Sequence, residues 1–316
     1  MGGDRAPDQI VLGARQAAEA GLPVVLVGDP DLLADTGDLE VLPAREVIGM
    51  DEDAGRSVRT KKDSSLVRAA EAVRDGRASG MVSAGNTGAT MASALLRMGR
   101  LRGVARPAIA TPIPVPGTTP TVLLDAGANA ECSAAWLLQF AQMGSVFARQ
   151  RYGIAQPRVG LLSIGEEETK GNSLVKETHA LLADGQAGGD VDFIGNVEGR
   201  DIMTDAVDVV VTDGFTGNVV LKTLEGCMRF AMRSVLASFE TNDEARAAGA
   251  ALLPSLLPFA EAMDPDTTGG AVLLGVSGIC VISHGSSSAR ALVNAVRVAH
   301  TAATDGLVGL LAAAVS

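Results

Sequence analysis

The sequence is poor in aromatic residues, in cysteine and in basic charge, and each shortage narrows what the chain does. Aromatics make up 3% of 316 residues, so a surface that stacks nucleobases is excluded and the core must come from Ala, Val, Leu and Ile. The three cysteines, Cys132, Cys227 and Cys280, are scattered without a C-x-x-C pair. That argues against a disulfide framework or zinc site and for a reducing, cytoplasmic setting. Lys and Arg total 26 against 37 Asp and Glu, a formal charge of −11, which leaves no broad footprint for nucleic acid. There is no G-x-G-x-x-G, no Gly-Lys of a Walker loop and no G-x-S-x-G elbow. The familiar dinucleotide, nucleoside-triphosphate and serine-hydrolase sites therefore lack support. The longest nearly apolar stretch, 269–283, is Gly-punctuated and shorter than the roughly 20 residues of a membrane span. It reads as buried core. Met1–Pro7 carries no hydrophobic signal core.

What is present is alternation. Apolar, β-branched bursts predict strands at 23–27, 81–83, 122–125, 159–164, 192–195, 207–212 and 279–283. Helical periodicity predicts helices at 8–20, 64–75, 87–100, 134–151, 173–183, 217–239 and 286–304. Strand followed by helix, repeated, predicts an α/β fold: a mostly parallel sheet with helices on both faces, in a single domain over 1–316. The segment 243–266 departs from this. It carries Leu252, Leu253, Leu256, Leu257 and Phe259, with Pro254 and Pro258 expected to interrupt any single helix, and reads as a helical insertion.

One feature recurs: a strand ends in Gly with Asn, Thr or Ser, and a helix starts at once. It appears as Ser83-Ala-Gly-Asn-Thr-Gly88, Asp125-Ala-Gly-Ala-Asn129, Asp213-Gly-Phe-Thr-Gly-Asn218 and His284-Gly-Ser-Ser287, with a longer version from Gly165 to Asn172. Such turns offer backbone N–H groups and the positive end of a helix dipole, which is a phosphate cradle. Asn86, Thr87, Thr216, Asn218, Ser286 and Ser287 would add neutral donors. Each turn taken singly reads more readily as ordinary N-capping. Together, at the carboxyl edge expected of a parallel sheet, they point to a small anion such as inorganic phosphate. Phosphate is itself a nucleophile, so a reaction in which it attacks requires no Ser–His–Asp relay. Lys170 follows Glu166–Glu168 and precedes Gly171-Asn172. It reads either as a cation beside phosphate or an oxyanion, or as part of a solvated charged loop. His284 reads as a general acid for a leaving group or as a structural histidine. The cysteines are taken as small core residues.

In order, the blocks Met1-Gly-Gly-Asp-Arg-Ala-Pro7, Lys61-Lys-Asp-Ser-Ser65, Ser83–Ala89, Asp125–Asn129, Gly165–Asn172, Thr212–Asn218 and His284–Ser287 resemble the signature of the bacterial acyl-ACP:phosphate acyltransferase family over nearly the whole chain. The resemblance implies a fold like isopropylmalate dehydrogenase and phosphate acetyltransferase, a homodimer, no metal or cofactor, and an acyl phosphate product passed to a membrane glycerol-3-phosphate acyltransferase. It implies catalytic roles for Lys170, Asn172, Asp213 and His284. Asn86, Thr87, Gly88, Asn129, Glu166, Thr216, Gly217, Asn218 and Ser286 are implied to bind phosphate and substrate. Family members usually begin with an apolar strand before Met-Gly-Gly-Asp; without it, the loop of Gly2, Gly3 and Asp4 is expected to be unanchored. A segment like 243–266 forms tips at the dimer end that touch membrane transiently, as a peripheral contact. Here the only base in it is Arg246, so contact would rest on apolar area.

Acyl carrier protein is acidic, so docking needs a local basic patch. Arg56, Arg59, Lys61 and Lys62 form one candidate, and Arg97, Arg100, Arg102 and Arg106 another. Three rival readings stand beside this one: a phosphate acyltransferase using acyl-CoA, an NAD-dependent decarboxylating dehydrogenase on the same fold, and a catalytically inactive phosphate- or lipid-responsive interaction protein.

Overall fold

Short β-branched runs and longer Ala/Leu-rich segments alternate in the computed structural model, which describes residues 1–188 and 191–315. In chain order the elements are α1 (Asp8–Glu19), β1 (Val25–Gly28), β2 (Glu40–Pro43), α2 (Ala54–Thr60), α3 (Ser65–Arg74), β3 (Gly80–Ser83) and α4 (Thr87–Ser93), the last continuing as a wider π turn to Met98. There follow β4 (Ala108–Ile113), β5 (Thr121–Leu124), α5 (Ala134–Tyr152), β6 (Arg158–Leu162), α6 (Ser173–Ala183), β7 (Asp192–Val197), β8 (Val209–Val211), α7 (Gly214–Ser238) and α8 (Asp243–Met263). The chain closes with α9 (Pro265–Thr268), β9 (Ala271–Leu274), β10 (Ile279–Ile282), α10 (Ala289–Thr304) and α11 (Leu307–Ala314).

Eight strands form one sheet in the order β3-β10-β9-β4-β5-β8-β6-β7. Helices cover both faces. Leu137, Phe140 and Phe147 of α5 pack with Ala295 of α10 and Leu307 of α11 on one side. Val58, Leu66, Val67 and Ala89 of α2–α4 pack on the other, where Val220, Leu221 and Leu224 of α7 also lie. Burial of each large side chain contributes roughly 1.5–3 kcal/mol. The predicted strand 23–27 appears as β1, but it pairs in parallel with β2 in a separate two-stranded sheet.

Four of the sheet's pairings are parallel (β3/β10, β5/β8, β6/β8 and β6/β7), and β4 and β9 join the two parallel blocks through antiparallel pairings. β3, β10 and β4 therefore run one way, and β9, β5, β8, β6 and β7 the other. This corrects the expectation of one shared carboxyl edge. The loops after β3 and β10 lie at one edge, and those after β5, β6 and β8 at the opposite edge.

β4 went unread because Pro112 sits inside it. The strand tolerates that proline because it pairs with β9 only through Ala108–Ala110 and with β5 only through Thr111–Ile113. At Pro112 it is locally an edge. The segment expected to be broken by Pro254 and Pro258 is one helix, α8. The two prolines are four residues apart, so their missing N–H groups fall on one face. The carbonyls they orphan, of Ala250 and Pro254, belong to exposed residues and reach water. With α7 it makes a hairpin whose return is pinned to α10 by Arg290–Asp264 and by Ser288 Oγ donating to Asp266 at 2.5 Å.

The N-terminal loop is anchored, contrary to expectation. The Asp4 N–H donates to the Gly285 carbonyl at 2.9 Å, and Gly3 approaches Ala84 so closely that a Cβ would lie 2.7 Å from its carbonyl oxygen. A cavity of about 500 Å³ lies between β1 and β3, lined by Ile10, Val25, Leu42, Leu66, Met81 and Leu292 among others.

Candidate functional site

Two loop groups carry the polar residues, and α7 connects them. At one edge, Asp125 is fully buried (0% exposed). Its Oδ1 accepts N–H groups of Ile109, Gly127 and Ala128 at 3.0, 3.1 and 2.9 Å. Its Oδ2 accepts the Asn129 N–H and Nδ2, both at 2.8 Å. That carboxylate folds the Asp125–Asn129 loop around itself. The start of α7 docks on the loop without clearance: the Gly214 N–H donates to the Asn129 carbonyl at 2.8 Å and Asn218 Nδ2 to the Ala126 carbonyl at 3.2 Å. A Cβ on Gly217 would lie 2.0 Å from the Asp125 carbonyl oxygen.

Several predicted ligand donors are engaged in holding this scaffold. Asn129 Nδ2 also reaches the Pro107 carbonyl at 2.8 Å. Asp213 caps α7 by accepting the Thr216 N–H and hydroxyl at 2.8 and 2.7 Å, and Asn172 caps α6 through the Val175 N–H at 3.0 Å. The Gly165–Asn172 loop lies at the same edge. Its Lys170 is exposed and forms no ion pair among the described residues. Glu166, implied to bind phosphate and substrate, pairs with Arg200 at 3.1 Å.

At the other edge, Asn86 caps α4 with Oδ1, accepting the Ala89 N–H at 2.9 Å. Its Nδ2 donates to the carbonyls of Gly49, Met50 and Glu52 at 3.3, 2.9 and 3.3 Å. The Asn86 amide is thereby used in full, and what α4 still offers an anion is the backbone N–H of Thr87 and Gly88. Ser286 is exposed, whereas Ser287 is buried with its Oγ 2.7 Å from Ser283 Oγ. His284 is 47% exposed, with Nε2 3.5 Å from Glu225 of α7. Burial first, then the Lys222 charge, push its pKa below the ordinary 6.5, against the pull of Glu225 and Asp266. That shift favours the neutral imidazole beside the Glu225 carboxylate. From Gly214 to Glu225, α7 rises roughly 16 Å at 1.5 Å per residue. Lys170, Asp213 and the Asp125 loop are brought together at one end of that span and Asn86, Thr87 and His284 at the other.

The predicted docking cations divide. Lys61 Nζ donates to the Val47 carbonyl at 2.8 Å and to Glu52 at 2.5 Å. Arg97 turns to Glu71 at 3.7 Å and Arg100 to the Ala105 carbonyl. Arg56, Arg59, Lys62 and Arg102 stay exposed. The Lys61 hydrogen bond, followed by the Gly49 N–H and the Ser57 hydroxyl, holds the Glu52 carboxyl down at about 2 against an ordinary 4.5. A carboxylate with a lowered folded pKa stabilises above its unfolded value and loses that contribution as pH falls toward the folded one. Melting temperature should therefore drop between about pH 4.5 and 2 more steeply in the parent than in Glu52→Gln; calorimetry across that window checks it, and parallel curves would contradict it.

Burial pushes the Cys132 and Cys280 thiols up to about 11 and about 12; Cys280 is a core residue and Cys132 half-buried, whereas Cys227, on the open side of α7, is exposed and corrects the core expectation. Among the described residues no cluster of His, Cys, Asp and Glu could hold a metal ion. Nothing in the sequence marked Asn196, Arg200, Lys222 or Glu225, and Asp125 was visible only as the first residue of its turn. Asn196-Val-Glu-Gly-Arg-Asp201 is another strand end with Gly and polar residues, but only a single turn, Asp201–Met203, follows it where the others lead into α-helices. Glu225 lies mid-helix and carried no signal.

A family profile described as fatty acid synthesis protein matches residues 1–309. A phosphate acyltransferase from Elusimicrobium minutum is 48% identical, the match covering 97% of this chain and 92% of that one. Another from Desulforudis audaxviator is 47% identical over 99% and 93%. In fold the chain is similar to a phosphotransacetylase from Streptococcus pyogenes, with a TM-score of 0.65 at 16% identity over 95% and 92% of the two chains.

Proposed function

Since the chain belongs to the fatty acid synthesis protein family, whose relatives at 47–48% identity are phosphate acyltransferases, we propose that it transfers a fatty acyl group from acyl carrier protein to inorganic phosphate. The observation that carries this reading is the near-full-length match to phosphate acyltransferases, joined to a loop whose Lys170 is exposed and forms no ion pair among the described residues. A phosphate oxygen attacks the thioester carbonyl, the C–O bond forms, and the tetrahedral oxyanion collapses as the C–S bond breaks. The sulfur leaves as the carrier thiolate, and the product is an acyl phosphate. Lys170 supplies charge to the phosphate or the oxyanion, an interaction whose removal typically costs a hundred- to thousandfold in rate. Purified protein mixed with palmitoyl-ACP and phosphate, then trapped with hydroxylamine, should give phosphate-dependent hydroxamate. Product from palmitoyl-CoA alone would move the donor assignment to acyl-CoA, and none from either donor would overturn the reading.

The exposed cations Lys62 and Arg102 are the docking residues this reading retains. Reversing both to Glu should raise the KM for acyl-ACP by about tenfold and flatten its salt dependence, since exposed interface charges act on encounter. An unchanged KM would remove the docking assignment. The product would feed a membrane glycerol-3-phosphate acyltransferase.

The α7–α8 hairpin exposes Phe230 (75%), Leu252, Leu253, Leu257 and Phe259. Its one base in α8, Arg246, is paired with Asp243 at 2.8 Å. The reading makes this hairpin the apolar tip of a homodimer that touches membrane transiently. Among the described residues no helix is long and apolar enough to cross a membrane. Ser at both Leu252 and Leu257 should abolish co-flotation with vesicles; retained flotation would assign membrane contact elsewhere.

A further inference from the structure

We propose that Asn196 is a positioning residue that sets the Lys170 loop for the reaction from beneath it. The inference rests on the role given to Lys170 above. Asn196 lies on β7, the edge strand beside β6. Their pairing runs Val159↔Phe193 and then Gly160↔Gly195, so Ile194 is an extra, exposed residue and Gly195 takes φ +101°. Shifting a strand by one residue exchanges its faces. The bulge therefore places Asn196 on the Leu161 face of the sheet, 6% exposed, in register with Leu161 of β6.

There Asn196 Nδ2 donates to the Glu167 carbonyl at 2.8 Å. The same carbonyl accepts the Lys170 N–H at 2.9 Å. One oxygen thus closes the turn that carries Lys170 and ties the turn to the sheet. Asn196 Oδ1 has no hydrogen-bond partner among the described residues, so the Glu167 bond alone orients the amide.

The loop has little slack. A Cβ at Gly165 would lie 2.9 Å from Lys170 Cγ, and one at Gly171, where φ is +93°, would lie 2.7 Å from Val175 Cγ1. Arg200, just past β7, holds the loop's outer side through Glu166 and braces itself on Glu198 at 2.7 Å. Losing the Asn196 bond leaves Lys170 present but displaced.

The test is kcat/KM for phosphate, read as hydroxamate, in Asn196→Asp, Lys170→Ala and the double variant, each assayed well below its own unfolding midpoint. Asn196→Asp keeps the side chain's shape and puts an oxygen where the donor was. Its kcat/KM should fall between about ten- and hundredfold, the scale of a small misplacement of a reacting group. In the Lys170→Ala background it should cause no further loss. Gly195→Ala strains the bulge while its Cβ meets nothing within 4 Å. It should act in the same direction, and it carries the test if Asn196→Asp does not fold.

Wild-type kcat/KM in Asn196→Asp, or losses that multiply in the double variant as for independent sites, would overturn the proposal. Full activity in Lys170→Ala alone would overturn the Lys170 assignment and this inference with it, a result distinct from failure at Asn196 only.

Discussion

Asp125→Ala is expected to lose on the order of 4 kcal/mol of stability, among the largest effects of any single substitution in this chain. The Asp125 carboxylate is fully buried and takes five N–H donors. Alanine leaves the four backbone N–H groups without an acceptor, too deep for water to replace it, while Asn129 Nδ2 keeps its bond to the Pro107 carbonyl. Each of these four orphaned buried donors costs about 1–3 kcal/mol. These costs overlap, because the loop relaxes as a unit, so the lower part of their sum is the realistic figure. Asp125→Asn separates shape from charge. Its remaining oxygen can still serve Ile109, Gly127 and Ala128, but its NH₂ then faces the two donors of Asn129. It should fall between parent and Ala. Urea unfolding followed by circular dichroism measures both, and an Ala variant within about 1 kcal/mol of the parent would be inconsistent with this account.

Gly217→Ala should be as severe for a different reason. Its Cβ would stand 2.0 Å from the backbone oxygen of Asp125, and no rotamer relieves a backbone contact. The first turn of α7 would have to lift off the Asp125–Asn129 loop, breaking the Gly214–Asn129 and Asn218–Ala126 bonds. Overpacking costs about 1–3 kcal/mol where side chains can adjust; here the expected outcome is about 3 kcal/mol or more, or no folded protein. Gly226 on the same helix is the control, since a Cβ there meets nothing within 4 Å. Gly226→Ala should stabilise by about 0.5–1 kcal/mol through helix propensity. Equal stability of the two variants would show that the close approach at Gly217 does not exist in solution.

Residue patterns accounted for much of this molecule. The 3.6-residue periodicity placed α6 at its observed limits and α1, α3, α5, α7 and α10 within a few residues. The Gly-rich strand ends marked every loop where α4, α6 and α7 begin. Local pattern reaches this far because helix periodicity and capping are set by neighbours a few residues away. β4 and β9 were not legible. Proline in one, and the brevity of the other within the apolar run 269–283, hid pairings that depend on residues far along the chain.

The same limit applies to the site. The sequence by itself determined that Asn86, Asp213 and Asn172 stand at helix starts, that Lys170 lies in a loop of acids, and which family these blocks resemble. Only the tertiary structure decided that β4 and β9 reverse the sheet, which sends His284 and Lys170 to opposite edges spanned by α7. It alone decided that Asn86 and Asn129 serve the scaffold, and that a bulge at Ile194 turns Asn196 under the Lys170 loop. Strand direction, bulge register and hydrogen-bond partners are properties of pairs of segments brought together by folding, so no local stretch of sequence carries them.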